Sequence, residues 1–193
     1  LEKFSSNEKI DEIILVVARE FLGSPELKES IPSSIINKSF QIVAGGSTRQ
    51  ESVQKGLDSI TRKSGIVLIH DGVRPFATEK IINENIRKCK EEGAVLTAFP
   101  VTDTLKKIDK NYVVETIDRS DIWKAQTPQT FRFDILDQAF KEANQKGIKA
   151  TDEATLVERF HKVRLVKGHH NNFKVTHKED LILARALIKE IKR

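Results

Sequence analysis

The stretch VLIHDGVRPF, Val67 to Phe76, constrains this chain more than any other. Val67, Leu68 and Ile69 form an apolar run with no polar alternation, the pattern of a strand buried on both faces in a parallel sheet. The run stops at His70, Asp71, Gly72, Val73, Arg74 and Pro75. An acid, a cation and a glycine therefore sit just past the carboxyl end of a strand, where open α/β sheets bind their ligands. Asp71 suits a divalent cation bound through oxygen, and the planar fork of Arg74 suits a phosphate. An Asp capping a helix beside a surface Arg would look the same over these residues alone.

The flanking sequence repeats the theme. Residues Leu1 to Asn7 read as the tail of a helix, and Asp11 to Ala18 as a buried strand. A polar segment with Gly23, Pro25 and Pro32 follows, then a strand over Phe40 to Val43. Gly45 and Gly46 lead into Ser47, Thr48, Arg49, Gln50 and Glu51, where Ser47 with Gln50 and Thr48 with Glu51 each fit a capping box. That helix carries Val53, Leu57 and Ile60 on one face. A second helix spans Thr78 to Glu92 and closes at Gly93, and a third buried strand covers Ala94 to Phe99. Strand and helix in alternation imply parallel strands with right-handed crossovers, a Rossmann-like three-layer α/β sandwich.

Between Asp103 and Phe131 the pattern changes. Two short segments, TLKKID and YVVETID, flank Lys110 and Asn111 and read as a projecting hairpin. Its edges need solvent or a partner subunit, which suggests an interlocking dimer arm over about residues 103–125. Trp123 would anchor that arm. Farther on, a helix covers Phe133 to Lys146. Thr151 is a candidate helix cap, with Asp152 and Glu153 placed either to complement the helix dipole or to meet a ligand. VRLVKG is a strand, His169 and His170 lie in a polar loop, and Phe173 to Val175 form a short strand carrying Lys174. Thr176 and Glu179 cap a final helix, whose basic end reads as a solvated helix terminus.

Bulk properties narrow the function classes. The 193 residues fit one domain, and 38% hydrophobic with 32% charged residues is a globular profile without a membrane-length apolar run or secretory signal. Net charge is +5, spread along the chain, which suits anionic small molecules and lacks the basic stripe of a nucleic-acid binder. The single cysteine, Cys89, shares helical spacing with Ile82 and Ile86 and reads as a core residue of a reducing compartment such as the cytoplasm. The chain has no Met and begins at Leu1, so further residues are expected upstream.

In order, GGSTRQESV, HDGVRPF, PVTDTLKK, DRSDIWKAQTPQTF, TDEA and NFKVTHKEDL resemble the 2-C-methyl-D-erythritol 4-phosphate cytidylyltransferases of non-mevalonate isoprenoid synthesis. The resemblance implies a nucleotidyltransferase sandwich with a dimerising arm. It implies transfer of a cytidylyl group from CTP to the polyol phosphate with release of pyrophosphate, assisted by a divalent cation, normally magnesium. On the same ground Gly46, Ser47 and Ser52 would meet the cytosine edge. Asp71 would lie between nucleotide, metal and substrate, and Arg74, Thr104 and Thr127 would bind the polyol phosphate. Arg119 and Lys174 would hold the attacking phosphate and act as the catalytic residues, with Arg119 reaching a neighbouring subunit's site. The family's first strand and glycine-rich triphosphate loop have no counterpart after Leu1. A single domain lacking that loop is therefore expected to bind CTP poorly when it starts there.

Two other readings contrast with this one. Ribitol 5-phosphate cytidylyltransferases share the HD..RPF and QTPQ.F stretches, while DRSDIW and the acidic TDEA favour methylerythritol phosphate. A non-catalytic module that binds a partner or a sugar phosphate is the alternative from another class.

Overall fold

The computed structural model describes residues 1–191. After a short helix α1 (Glu2–Ser5), strand β1 (Glu12–Val17) pairs in parallel with β2 (Ser39–Ala44), Glu12 opposite Ser39 and Val17 opposite Ala44. The connection contains α2 (Pro25–Glu29), whose first turn is capped by Ser24 accepting from the Leu27 amide. Helix α3 (Arg49–Asp58) follows β2 and is capped by Thr48, which accepts from the Glu51 amide. Gln50 takes no part in capping; its amide instead bonds the carbonyl of Ile148 and the N–H of Ala150.

The main sheet differs from the expected all-parallel one. Strand β3 (Ile66–Ile69), helix α4 (Glu79–Glu92) and strand β4 (Ala94–Pro100) fall where the sequence places them. Between β3 and β4, however, lies β7 (Trp123–Arg132), antiparallel to both; β8 (Arg164–Lys167) extends the sheet parallel to β4. Sequence patterning gives no strand for AQTPQTF because its side chains are polar. Burial is possible because partners elsewhere in the chain satisfy them. Thr97 donates to the Pro128 carbonyl at 2.7 Å and accepts from Asn85 at 2.8 Å, while Thr130 donates to Asn85 and Gln129 binds Asp152 and the Ala154 amide. A buried polar group is tolerated when its bonds are made.

Helices cover both faces of this sheet. Helix α5 (Phe133–Lys146) and the short α6 (Glu153–Val157) pack Leu136, Phe140 and Val157 against Ala94 and Phe131. Strand alternation turns Val95 the other way, where it meets Cys89 of α4. Gly93 ends α4 at φ +81°, and a Cβ there would fall 2.7 Å from Ile135 Cδ1, so only glycine fits.

The hairpin is β5 (Leu105–Asp109) with β6 (Tyr112–Ile117), joined by Lys110 and Asn111 at φ 43° and 73°, the two left-handed residues of a type I′ turn. It exposes Ile108, Val113, Val114 and Tyr112, the last at 78%. Trp123 sits half-buried at the start of β7, opposite Pro100. Three local expectations are corrected. Asp152, rather than Thr151, caps α6, because its carboxylate reaches the Thr155 amide. Phe173–Val175 is irregular backbone instead of a strand, tied at one point by Val175 N–H to Val73 O at 2.8 Å. The last helix, α7 (Lys178–Ile191), is headed by Asp180, whose carboxylate accepts from the Thr176 and His177 amides in place of Glu179. Lys192 and Arg193 of its basic end lie outside the described residues.

Candidate active site

Asp71 is the centre of the site. It stands just beyond β3, and its backbone is folded back by the Arg74 N–H donating to its carbonyl at 2.9 Å. Its carboxylate meets three cations: Arg49 Nε at 3.1 Å on one oxygen, and Arg74 Nε at 3.4 Å and Lys174 Nζ at 3.7 Å on the other. Burial pushes the Asp71 carboxyl up, but the Arg49 guanidinium, by charge and hydrogen bond, together with Lys174 and Arg74 holds it below the ordinary carboxylate value. Lys174 reaches this point because its segment is pinned at Val175, through Val73 O, and at Asn172. Arg74 Nη1 donates to the Asn172 carbonyl at 2.9 Å, and the fully buried Asn172 amide donates to Thr127 O at 2.8 Å.

Arg49 is shared. While its Nε serves Asp71, its two terminal nitrogens grip the Glu153 carboxylate at 2.6 and 3.0 Å, a bidentate pair. Glu153 has 2% of its side chain exposed, against 32% for Arg49. Burial pushes the Glu153 carboxyl up and the Arg49 fork opposes it. Three cations against two carboxylates leave the cluster with a net positive charge, suited to a polyanion.

The turn before α3 approaches the cluster through Arg49. Its own donors are already used: the Gly46 N–H bonds Ser52 Oγ at 3.0 Å, Ser52 Oγ donates to Thr48 O, and both the amide and hydroxyl of Ser47 donate to Glu51. Gly46 is required here, since a Cβ would lie 2.3 Å from that of Glu51. Below Asp71, the His70 ring is bonded on both nitrogens, Nε2 to Arg74 O at 2.9 Å and Nδ1 to Thr127 Oγ1 at 3.0 Å. Thr127 Oγ1 also accepts from the Asp71 amide at 3.0 Å. Burial is the main reason the His70 ring is harder to protonate than an ordinary histidine.

The profile of the IspD family, described as 2-C-methyl-D-erythritol 4-phosphate cytidylyltransferase, matches residues 1–190. The chain belongs to this family. Its relatives include the 2-C-methyl-D-erythritol 4-phosphate cytidylyltransferases of Alkaliphilus metalliredigens, 42% identical, and Bacillus velezensis, 40% identical. The first match covers 100% of this chain and 80% of the relative, the second 98% and 81%. Among solved structures, 4-diphosphocytidyl-2C-methyl-D-erythritol synthase from Anaerococcus prevotii superposes with a TM-score of 0.85 at 34% identity, covering 97% of this chain and 83% of that one. The cytidylyltransferase of Thermus thermophilus does so at 0.79 and 30%, covering 94% and 83%. The fold is therefore the Rossmann-like nucleotidyltransferase sandwich of IspD, with an antiparallel strand set into its sheet.

Within this IspD fold, Asp71, Arg74, Thr127 and Lys174 come together. Gly46, Ser47 and Ser52 share one turn, joined to them by Arg49. Thr104 and Arg119 do not join. They lie at the base of the hairpin, exposed, with Arg119 bonded to the Thr102 carbonyl. No hydrogen bond or ion pair links either to Asp71 among the described residues. Sequence reasoning assigned no site role to Arg49 or His70 and did not make Asn172 a ligand. Arg49 had one legible signal, its place in the first turn of a helix following a glycine pair; His70 acts through the Arg74 carbonyl and the Thr127 hydroxyl, and Asn172 through its carbonyl and side-chain amide, contacts that no residue pattern displays.

Proposed function

We propose that this chain catalyses transfer of the cytidylyl group of CTP to 2-C-methyl-D-erythritol 4-phosphate, and the observation that carries the reading is the carboxylate of Asp71 held at once by Arg49, Arg74 and Lys174. An oxygen of the substrate phosphate attacks the α-phosphorus in line, the new P–O bond forms, and the bond to pyrophosphate breaks. Little proton transfer is required, so positioning and cationic stabilisation supply the rate. Arriving phosphates draw Arg74 and Lys174 away from Asp71, and Arg49 keeps its hold on Glu153. The freed carboxylate would then offer oxygen to a divalent cation, normally magnesium. No group of three or more acidic, His or Cys residues able to cage a metal occurs among the described residues, and Asp71 is the residue that would hold the ion. When bound, magnesium neutralises the oxygens crowded around the reacting phosphorus.

In this reading the turn of Gly46, Ser47 and Ser52 faces the cytosine, with Glu51 yielding the Ser47 donors. Arg74 and Thr127 lie against the polyol phosphate, and Lys174 against the attacking group. Thr104 and Arg119 complete the site of a second subunit, delivered by the hairpin in a cytoplasmic homodimer. The exposed apolar residues of the hairpin, and an Arg119 with no hydrogen bond or ion pair to Asp71 among the described residues, support this arrangement. The chain is read as one domain with its arm over about 103–125. Among the described residues no helix is long and apolar enough to cross a membrane.

The test is pyrophosphate release from CTP and magnesium by the protein expressed from its own start codon, with methylerythritol phosphate or ribitol 5-phosphate offered in parallel. Release with methylerythritol phosphate alone is expected. Release only with ribitol 5-phosphate would overturn the substrate, and silence with both would overturn the activity. Arg119→Ala is expected to lower turnover and leave the affinity for CTP intact.

A further inference from the structure

We infer that His70 is a positioning residue for this reaction: its neutral Nε2–H imidazole locks the turn that presents Asp71 and Arg74. The inference rests on the cytidylyltransferase reading. Proton directions around the ring follow from the bonding partners. The Arg74 carbonyl can only accept, so the nitrogen 2.9 Å away, Nε2, carries the hydrogen. The Asp71 amide can only donate, so it occupies one lone pair of Thr127 Oγ1. In a neutral ring Nδ1 is then an acceptor, and the Thr127 hydroxyl hydrogen points to it across 3.0 Å. One unbroken chain of three hydrogen bonds runs from the Asp71 amide through Thr127 and the ring to the Arg74 carbonyl. Both ends of the 71–74 turn are thereby fastened to β7. The opposite tautomer would leave Arg74 O facing a bare lone pair and turn the Thr127 hydroxyl hydrogen away from the ring. Phe4 packs on the ring with centroids 4.9 Å apart, which restricts its rotation.

His70 touches neither substrate in this arrangement, so its effect passes through the two side chains it aims. A small misplacement of groups that align a phosphorus for in-line attack lowers the rate of the chemical step more than it lowers binding. His70→Phe and Thr127→Val are each expected to lower kcat roughly 10-fold, with KM for CTP changed less than about two-fold. The double variant is expected to be no slower than the slower single one, because both break the same chain. His70→Asn, whose amide oxygen replaces Nδ1 as acceptor for Thr127, is expected to recover part of the rate. His70→Gln, which can serve only the Arg74 side, should recover less. Independently of turnover, the ring nitrogen–proton couplings of 15N-histidine-labelled protein are expected to show the neutral Nε2–H form for His70. An Nδ1–H ring, additive losses in the double variant, or His70→Asn no faster than His70→Phe would each overturn the inference. If the unmutated protein releases no pyrophosphate, the activity reading fails by itself, and the NMR spectrum still decides the tautomer.

Discussion

Glu153 is an anion that water does not reach, stabilised by the two terminal nitrogens of Arg49. Removing its charge deprives Arg49 of its anchor and leaves only the single bond to Asp71. Glu153→Gln is expected to destabilise the fold by about 1–3 kcal/mol in urea unfolding and to lower kcat/KM as Arg49 loses its orientation. At Asp71 the balance runs the other way. Its folded pKa lies below the ordinary carboxylate value, so its pairing stabilises the fold above about pH 4 and that contribution fades as pH falls through the lower folded value. The stability difference between wild type and Asp71→Asn is therefore expected to be widest near neutrality and to close in acid, read by urea unfolding at the two pH values. Cys89, fully buried on α4 with its thiol pushed up to about 12 by burial, should resist thiol reagents in the native protein and react once denatured. An unaltered native reaction rate would show that α4 opens.

At the scale of elements, β7 and the segment beyond β8 decide how the site is held. Gly168, which follows β8, lies so close to β7 that a Cβ would fall 2.1 Å from Gln126 Oε1 and 2.9 Å from Thr97 Cγ2. Gln126 in turn supports His169 O and Asn172. Gly168→Ala should cost about 1–3 kcal/mol by overpacking and displace the Lys174 segment, seen as loss of both thermal stability and pyrophosphate release. The elements differed in how plainly they could be read. Strands such as Val67–Ile69 announce themselves by apolar runs, and α4 by its Thr cap and terminal Gly93. The hairpin is legible from two β-branched segments around Lys110–Asn111. β7 is hidden because its buried face is Gln and Thr, and only the partners Asn85, Thr97 and Asp152, scattered along the chain, make that burial tolerable. The site shows the same division. Asp71, Arg74 and Lys174 belong to recognisable motifs, whereas the Arg49–Glu153 pair joins residues 104 positions apart and appears only in three dimensions.

At the scale of the whole molecule, the hairpin exposes its apolar residues, and Arg119 stands at its base with no hydrogen bond or ion pair to Asp71 among the described residues. Co-expressing Arg119→Ala with Asp71→Asn tests whether a neighbour supplies this residue. Each variant alone should be nearly inactive, while random mixing should restore about a quarter of wild-type activity through dimers holding one intact composite site. No recovery in confirmed mixed dimers would place Arg119 in its own subunit's site. Chelation of magnesium should stop pyrophosphate release and leave the unfolding transition nearly unchanged, because a single carboxylate, Asp71, would hold the ion. The hairpin and the core are also continuous through β7, which begins at Trp123 beside the arm and carries Thr127 beneath Asp71. Where two arms pair, separating them by dilution would remove Arg119 and loosen the same strand from its outer end. Working sites would then be lost before any subunit unfolds, and the amount of enzyme in the cell would itself set the fraction that is switched on.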